Sequence, residues 1–471
     1  MGKIPHFRHP AQHTGLSPAP RYPLHPFSVH DRVYSVYFCD HPIFFPCRLM
    51  RFTLAFTFFV LFLPILSAGA ADYDYPFDNP YKATVYGTPP ESRYRVSNPV
   101  KPEIRSLRIE GRQVPNVFSY SRDMYYTTAL QDTAAPLLFL IAGTGAEHNS
   151  LKMAFLTQVF HEAGFHVVAL SSPTHMNFIV SASEHGVPGY VPYDVADLYK
   201  VMQWIKTDVE KECDITGYSM AGYSLGALHA AFIAHADSTL KDFGFQKVLM
   251  INPPVSLYSS VTRLDAWLTD ENLGDTTVRE QIEKVIDRFS EYYRTADVTD
   301  LDDDFLYRMV TRVNFRDKDL KTLIGGAFRT SSASMIFASD VCLRAEYLVP
   351  PQDYPLKTGT SLLPYAQQAF DVRFEEYLDE YLLPFIQYMK PGLDRRTVLR
   401  QCSLKDISEY LKTTDKIVLI GNRDDVILDR DDLRFIENTF GSRAFLFPTG
   451  GHCGNMRHPA FVETMVRMVR P

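Results

Sequence analysis

Tryptophan and cysteine are scarce in this chain, whose 471 residues include two Trp and six Cys. Six cysteines are too few for a fold of this length that depends mainly on disulfides. Positive and negative charges are nearly balanced, since 48 Lys and Arg and 55 Asp and Glu give a formal net charge of −7. Because a dense basic block is also lacking, nucleic acid is not an expected partner.

The composition favours a folded, core-forming chain. Hydrophobic residues make up 46% and charged residues 22%, which excludes a disordered chain. The length allows two or three domains, or one large domain that carries an insertion.

The first 71 residues do not have the pattern of a folded domain. Residues 1–49 are rich in Pro and His and show little periodicity. Met50 and Arg51 are followed by an apolar run and then by small residues up to Ala71, which is typical of a secretory signal peptide. We therefore expect residues 1–49 to be a non-native extension upstream of the true start, and residues 50–71 to be a signal peptide.

An uncleaved membrane anchor is the alternative interpretation of this segment. The apolar stretch and its small residues, 54–71, are barely long enough to span a bilayer, and Pro64 suits a cleaved segment better. We expect an exported protein, periplasmic or secreted. Cleavage would leave four cysteines that could pair in three ways in an oxidising compartment: Cys213, Cys342, Cys402 and Cys453.

Buried strands alternate with helical segments through two parts of the remaining chain. The apolar runs are residues 137–141, 166–170, 248–251, 417–420 and 445–447. Runs that are apolar on both faces predict a mostly parallel sheet covered by helices. The predicted organisation is an extended arm at 72–105, an α/β body at 106–256 and 412–471, and a helical cap insertion at 257–411.

The insertion contains two stretches of helical periodicity, 278–293 and 370–382. Four aromatic residues follow the helical spacing, and core packing is the first interpretation of them, with a pocket for an acyl chain as the second. They are Phe370, Phe374, Tyr377 and Tyr381.

The strongest chemical signal is the segment Gly222-Tyr-Ser224-Leu-Gly226, between a strand-like stretch and a helix of small residues. This strand–turn–helix context is what a nucleophile elbow needs, and it makes Ser224 the candidate nucleophile. Ser219 has similar neighbours, but Ala221 stands where the second glycine should be. We interpret Ser219 as an ordinary strand residue.

A serine nucleophile needs a base and a carboxylate that orients the base. Asp424 follows the strand 417–420 and is the predicted acid, with Asp425 as its close rival. His452 lies in a Gly-flanked loop after the strand 445–447 and is the predicted base, and His458 is the weaker candidate.

Two backbone N–H groups are expected to hold the oxyanion that forms in acyl transfer. Leu225 follows the nucleophile, and Thr144 lies in the Gly-rich loop after the strand 137–141. A phosphate-binding loop is the rival interpretation, but the required G-x-x-x-x-G-K pattern is absent.

Three further polar residues stand near the predicted site: Glu147, His148 and His175. Each could line a pocket, although an ordinary loop role is the more common one. No His pairs with an acid or Cys at convincing metal spacing, so we expect neither a metal nor a cofactor.

With these motifs the chain resembles the α/β-hydrolase superfamily, whose partners follow the order Ser, Asp, His. The resemblance covers about 106–256 and 412–471, and the insertion falls where that superfamily commonly carries a cap. It implies a metal-independent serine hydrolase with an acyl-enzyme. Ala142 departs from the pattern, because a His often stands there.

The expected function is hydrolysis of a carboxylic ester with an apolar acyl part, of the lipase or esterase kind. The substrate would be a small or lipid-like ester, which makes membrane proximity possible. A thioesterase or peptidase on the same fold and a non-catalytic envelope binding protein are the alternatives.

Overall fold

The computed structural model describes residues 73–269, 273–274, 276–281, 283–284, 287, 307–308, 311–313 and 315–470. The expected extension and signal peptide, 1–49 and 50–71, lie outside the described residues. Much of the predicted helix 278–293 lies outside them too.

A single eight-stranded sheet organises the body. Its strands are β1 (Glu103–Leu107), β2 (Met124–Ala129), β3 (Ala135–Ile141), β4 (His166–Leu170), β5 (Ile215–Tyr223), β6 (Lys247–Ile251), β7 (Ile417–Asn422) and β8 (Ala444–Phe447). The spatial order is β1-β2-β4-β3-β5-β6-β7-β8. Strands β1 and β2 run antiparallel to their neighbours, and the pairs from β4 to β8 are parallel. The mostly parallel sheet that the sequence predicts is confirmed.

The sheet is buried on both faces, which explains why its central strands are continuous apolar runs. Leu137, Phe139 and Ile141 of β3 belong to one hydrophobic core, and Leu138 and Leu140 belong to the core on the opposite face. The alternation follows from the two-residue period of a strand.

Helices cover these two cores. Those of the body are α2 (Leu151–Glu162), α3 (Met176–Ser181), α4 (Val191–Val209), α5 (Leu225–Leu240), α13 (Arg430–Phe440) and α14 (Pro459–Val469), with α1 (Pro80–Tyr86) before the sheet. Helix α5 is rich in Ala and starts directly after β5, so small side chains let it pack closely on the sheet.

Between β6 and β7 the chain forms the cap. Its described helices are α6 (Leu257–Ala266), α7 (Asp317–Leu343), α8 (Leu363–Asp371), α9 (Phe374–Glu376), α10 (Leu383–Met389), α11 (Arg395–Gln401) and α12 (Ser408–Thr413), and a π-helical turn, Tyr377–Leu382, joins α9 to α10. The insertion at 257–411 was predicted to be mostly helical, and its described part consists of helices and connecting turns.

One buried ion pair joins three parts of the cap. The guanidinium of Arg329, on α7, donates to Asp265 of α6 at 2.6 and 2.9 Å. Asp265 also accepts the backbone N–H of Phe374, where α9 begins, at 2.5 Å. The predicted helical stretch 370–382 is therefore interrupted. Helix α8 ends at Asp371, and α9 begins at Phe374, whose backbone N–H binds the Asp265 carboxylate.

The arm at 72–105 differs from its prediction. It was expected to be extended, but it contains α1, a short 3₁₀ helix at Pro90–Ser92 and the start of β1. Asn79 caps α1 by accepting hydrogen bonds from the backbone N–H groups of Tyr81 and Lys82, both at 3.0 Å.

Candidate active site

Strand register brings the candidate loops to one edge of the sheet. Ile141 of β3 pairs with Gly222 of β5, and Tyr223 pairs with Ile251 of β6. Ile251 in turn pairs with Ile420 of β7. The loops that follow these four strands therefore leave the sheet side by side, as expected at the carboxyl ends of parallel strands.

Ser224 occupies a strained turn between β5 and α5. Its φ is 53° and its ψ is −125°, a conformation that non-glycine residues rarely adopt. A Cβ on Gly222 would lie 2.2 Å from the carbonyl oxygen of Gly226, and a Cβ on Gly226 would lie 2.3 Å from that of Ile141. The two glycines are required because backbone passes backbone at both positions.

The Ser224 side chain faces His452, as the sequence predicts. The distance from Ser224 Oγ to His452 Nε2 is 2.9 Å, within hydrogen-bond reach. The other ring nitrogen, Nδ1, lies 3.0 Å from both carboxylate oxygens of Asp425. Serine, imidazole and carboxylate thus form one continuous hydrogen-bonded chain.

The predicted partner of His452 was Asp424, and this prediction is wrong, because Asp425 makes the contact with the imidazole ring. The Asp424 carboxylate instead accepts the backbone N–H groups of Gly450 and Gly451, at 3.2 and 2.9 Å. The turn after β7, closed by the Asp425 N–H on the Asn422 carbonyl at 3.3 Å, aims successive side chains in different directions. Asp424 therefore holds the loop that carries His452, and the rival residue Asp425 contacts the ring.

Asp425 is held in place from two sides. Its carboxylate accepts a hydrogen bond from Asn252 Nδ2 at 2.8 Å and from the backbone N–H of Ile427 at 3.1 Å. Its side chain has no solvent exposure. A carboxylate that is buried and oriented in this way can fix the tautomer and orientation of the imidazole.

The electrostatics of the site favour the imidazolium form of His452. Burial alone lowers the pKa of His452, but the facing carboxylate of Asp425 and the neighbouring Cys453 outweigh it and raise this pKa to about 10. Burial also raises the pKa of the Asp424 carboxyl above its ordinary value, against two backbone hydrogen bonds that lower it.

The two predicted oxyanion donors lie on two backbone segments next to Ser224, the start of α5 and the turn after β3. Leu225 is the first residue of α5, where N–H groups have no partner within the helix. Thr144 lies in the turn after β3, and a Cβ on the preceding Gly143 would come within 3.1 Å of Ser224 Cβ. The turn is closed by the Ala146 N–H on the Gly143 carbonyl at 3.0 Å. The arrangement places these two loops against the nucleophile.

The weaker candidates from the sequence have other environments. Ser219 is fully buried within β5, and His458 Nε2 lies 3.1 Å from Asp74. His148 is buried against Thr127, with 2.7 Å between Nδ1 and Oγ1, and burial lowers its pKa to about 4. His175 caps α3, and its Nδ1 accepts the Asn177 N–H at 3.3 Å. These contacts account for the three histidines without a role in the triad.

Two residues that sequence reasoning missed contribute to the site. Asn252 directly follows β6 and orients Asp425, so its position at a strand end was a usable signal. Thr84 of α1 contacts the backbone of His452 at 2.9 Å. Nothing in the local sequence of the arm indicated that contact, since 368 residues separate the partners.

A cavity of about 870 Å³, the cap cavity, lies between the cap helices α7 and α8 and a part of the body that includes Phe118 and Met176. Its walls are mostly apolar and include Phe118, Leu323, Phe337, Leu362 and Phe370. Of the four aromatic residues predicted for the core or for an acyl pocket, Phe370 lines this cavity. The other three are buried in packing, with Phe374 7% exposed and Tyr377 and Tyr381 fully buried.

Helix α7 connects this cavity to the loop after β3. The cavity wall includes Ala327 and Thr330 of α7, and a Cβ on Gly145 would lie 2.7 Å from Ser331 of the same helix. Met176, next to His175, also lines the cavity. Helix α7 therefore contacts both the cavity and the loop that carries Thr144.

The four cysteines of the described chain are free thiols. Among the residues that the structure describes, no group of three or more His, Cys, Asp or Glu has a metal-binding arrangement. Over the same residues, no helix has both the length and the apolar character that a membrane crossing requires.

No model of a protein family matches the chain, and no curated protein sequence matches it. Solved structures resemble it. A thioesterase domain from the curacin biosynthetic pathway is 14% identical with a TM-score of 0.36, over 79% of this chain and 100% of that one. An esterase from Pseudomonas putida is 13% identical with a TM-score of 0.37, over 80% and 83%. A membrane phospholipase A described as a bacterial virulence factor is 15% identical with a TM-score of 0.37, over 78% and 84%. At such values the similarities carry no evidence about substrate or mechanism.

Proposed function

We propose that the protein is a serine hydrolase that cleaves carboxylic esters through an acyl-enzyme on Ser224. The observation that carries the proposal is the hydrogen-bonded chain from Ser224 through His452 to Asp425. The strained turn at Ser224 supports it, because such strain concentrates at functional sites.

In the first half of the reaction, Ser224 Oγ attacks the ester carbonyl carbon while its proton passes to His452 Nε2. The carbonyl oxygen becomes an oxyanion, and we assign the N–H groups of Leu225 and Thr144 the role of holding it. The intermediate then expels the alcohol, which takes the proton from His452. Ser224 is left as an acyl ester.

In the second half, His452 removes a proton from water, and the resulting hydroxide attacks the acyl carbon. Collapse of this second intermediate releases the carboxylic acid and returns the proton to Ser224 Oγ. Asp425 stays ionised throughout, holds Nδ1–H and stabilises the imidazolium. No metal or cofactor takes part in this scheme.

The cap cavity supports an ester with an apolar acyl part as the substrate. Its size suits an extended hydrocarbon chain, and ligand sites are commonly apolar cavities of this order, about 300–1,000 Å³. Helix α7 forms part of its wall and also packs against Gly145 of the predicted oxyanion loop, which supports this cavity as the site of the acyl chain. A thioester or amide would use the same machinery, and so would a peptidase.

Labelling by a fluorophosphonate probe tests the nucleophile. We expect the unaltered protein and Ser219→Ala to be labelled, and Ser224→Ala to be unlabelled. Ser219→Ala is a matched control, because it removes a hydroxyl from the same strand–turn segment. Labelling that persists in Ser224→Ala would overturn the assignment, and failure of the unaltered protein to label would favour a non-catalytic binding role.

A substrate panel tests the reaction class. Nitrophenyl esters of increasing acyl length, a matching acyl thioester and a peptide amide should be compared at equal enzyme concentration. We expect the ester of longer acyl chain to give the highest kcat/KM. A higher kcat/KM for the thioester or the amide would replace esterase by thioesterase or peptidase.

We also propose that the protein is exported after cleavage near Ala71, on the basis of the segment 50–71. The mass of the protein purified from its native cells should correspond to a chain beginning close to Asp72, recovered from the periplasm or the medium. A mass that includes Met1 would contradict both the cleavage and the non-native extension. Retention of residues 50–71 in a membrane fraction would favour the anchor.

A further inference from the structure

The loop that carries His452 has an unusual backbone. Gly451 and Cys453 have φ values of 56° and 61°, and Gly450 has a φ of 143°. Cys453 is not a glycine, so its positive φ is costly and persists only where surrounding contacts determine it. The contacts that hold this loop therefore decide where the imidazole points.

The body supplies one set of these contacts. Asp424 accepts the N–H groups of Gly450 and Gly451, as described above, and Asn422 Nδ2 donates to the Gly451 carbonyl at 2.7 Å. These bonds hold the loop before the histidine. They do not reach the backbone N–H of His452 itself.

The arm supplies the contact at the histidine. Thr84 Oγ1 accepts the His452 N–H at 2.9 Å and donates its own proton to the Pro80 carbonyl at 2.7 Å. The second bond fixes the hydroxyl rotamer and leaves a lone pair for the histidine N–H. Asn79 and Gly87 cap the two ends of α1, so Thr84 stands on an anchored helix.

Close backbone packing surrounds this bond. A Cβ on Gly451 would lie 2.3 Å from the Pro80 carbonyl oxygen, and one on Gly454 would lie 2.0 Å from that of Ala83. Outside α1, Thr88 Oγ1 donates to the Gly454 carbonyl at 3.0 Å. Residues 80–88 of the arm therefore pack directly against the histidine loop.

We propose that Thr84 is a positioning residue, which acts through the backbone of His452 to aim Nε2 at Ser224 and Nδ1 at Asp425. The proposal rests on the proposed function of this triad. It assigns to the arm, which precedes the sheet, a part in catalysis that the body alone does not supply. Without the Thr84 acceptor the His452 N–H loses its partner, and the loop is free to relax away from the nucleophile.

Thr84→Val tests the proposal, because it keeps the shape of the side chain and removes the hydroxyl. We expect kcat to fall by about 10- to 100-fold with KM within about twofold of its original value, since a small misplacement of a catalytic group has effects of this size. The acid limb of the pH profile should move to lower pH, because a loosened loop weakens the contact with Asp425. Thr84→Ser should restore kcat to within about threefold.

Thr207→Val is the matched control. Thr207 on α4 also donates its hydroxyl to a carbonyl four residues earlier, at 3.1 Å, but it is exposed and this hydrogen bond stays within α4. Hydrogen exchange of the amides in 449–457 gives a second readout that needs no turnover. Exchange should be faster in Thr84→Val than in Thr84→Ser, Thr207→Val or the unaltered protein.

The outcomes separate this proposal from the proposed function. Fluorophosphonate labelling of the unaltered protein, together with unchanged kcat and exchange in Thr84→Val, would overturn the positioning role alone. Equal losses in Thr84→Val and Thr84→Ser would also overturn it, since the hydroxyl would then be irrelevant. Failure of the unaltered protein to label would overturn the proposed function and this inference with it.

Discussion

The carboxyl edge of the sheet and the cap differ in how their residues are held. At the sheet edge, Ser224, His452 and Asp425 are linked by hydrogen bonds of about 3 Å and anchored to strand ends. In the cap, helices pack around the ion pair of Arg329 and Asp265 and leave a large apolar cavity. Under the proposed function, the edge holds the reacting groups in fixed positions, and the cavity offers space for the substrate.

Asp425→Asn should produce the largest effect, and it falls on the sheet edge. We expect kcat to drop by about 10⁴-fold, because an amide cannot hold the required tautomer or stabilise the imidazolium. Asp424→Asn should lower kcat by no more than about tenfold, since the amide oxygen can still accept a backbone N–H. Steady-state kinetics on one activated ester measures both. A larger loss in Asp424→Asn would return the acid role to that residue.

Arg329→Ala should produce the next largest effect, confined to the cap. Removing one partner of a buried pair leaves Asp265 buried without its cation, at a cost of about 3–5 kcal/mol in unfolding free energy. Lys412→Ala, which breaks an exposed pair with Glu409, is the control and should leave stability unchanged. Thermal unfolding and limited proteolysis measure the difference. Equal stability of the two variants would contradict the role given to the buried pair.

Ala366→Trp should change substrate selection without changing the chemistry. Ala366 on α8 is exposed and lines the cavity, whereas Gln368 on the same helix is exposed and does not line it. Filling the cavity should lower kcat/KM for long acyl esters by about 10- to 100-fold and leave acetate esters unchanged. Gln368→Trp should affect neither. An equal loss of kcat/KM on short and long esters would show that the cavity does not bind the acyl chain.

The smallest expected effect is a shift in pH dependence at the sheet edge. His452 acts as a base only when it is neutral, and its raised pKa keeps it protonated at lower pH. Activity should therefore rise with pH through that raised pKa, well above the ordinary value of about 6.5. In Asp425→Asn the residual activity should reach its half-maximum at lower pH. A profile of kcat/KM against pH measures this, and identical midpoints would show that Asp425 does not set the pKa of His452.

Local patterns in the sequence predicted most of the body. The apolar runs at 137–141, 166–170 and 248–251 are strands, because continuous burial on both faces leaves an unmistakable run of apolar residues. Ser224 and His452 were found because glycines flank the tight turns that each occupies. These features depend only on residues that are adjacent in the sequence, so one sequence is enough to identify them.

The features that were missed depend on distant partners. Asp424 and Asp425 are adjacent acids on one loop, and contacts with residues distant in the sequence distinguish their roles, such as that of Asp425 with Asn252, 173 residues away. Helix α1 lies in a segment rich in Tyr, Asp and Pro that shows no helical periodicity, so its docking on the histidine loop was not visible locally. The break at Asp371 likewise depends on Asp265 of a different helix.

The order of the strands has a consequence for the synthesis and folding of the chain. Strands β6 and β7 are neighbours in the sheet, yet β6 ends at Ile251 and β7 begins at Ile417. Chain closure over such a separation is slow relative to local contacts, and a growing chain presents Ser224 long before Asp425 and His452 exist. A chain that stops before β7 lacks two of the three residues of the proposed triad, Asp425 and His452. Under the proposed function, esterase activity would therefore appear only after residues 417–452 have been made and have joined the sheet.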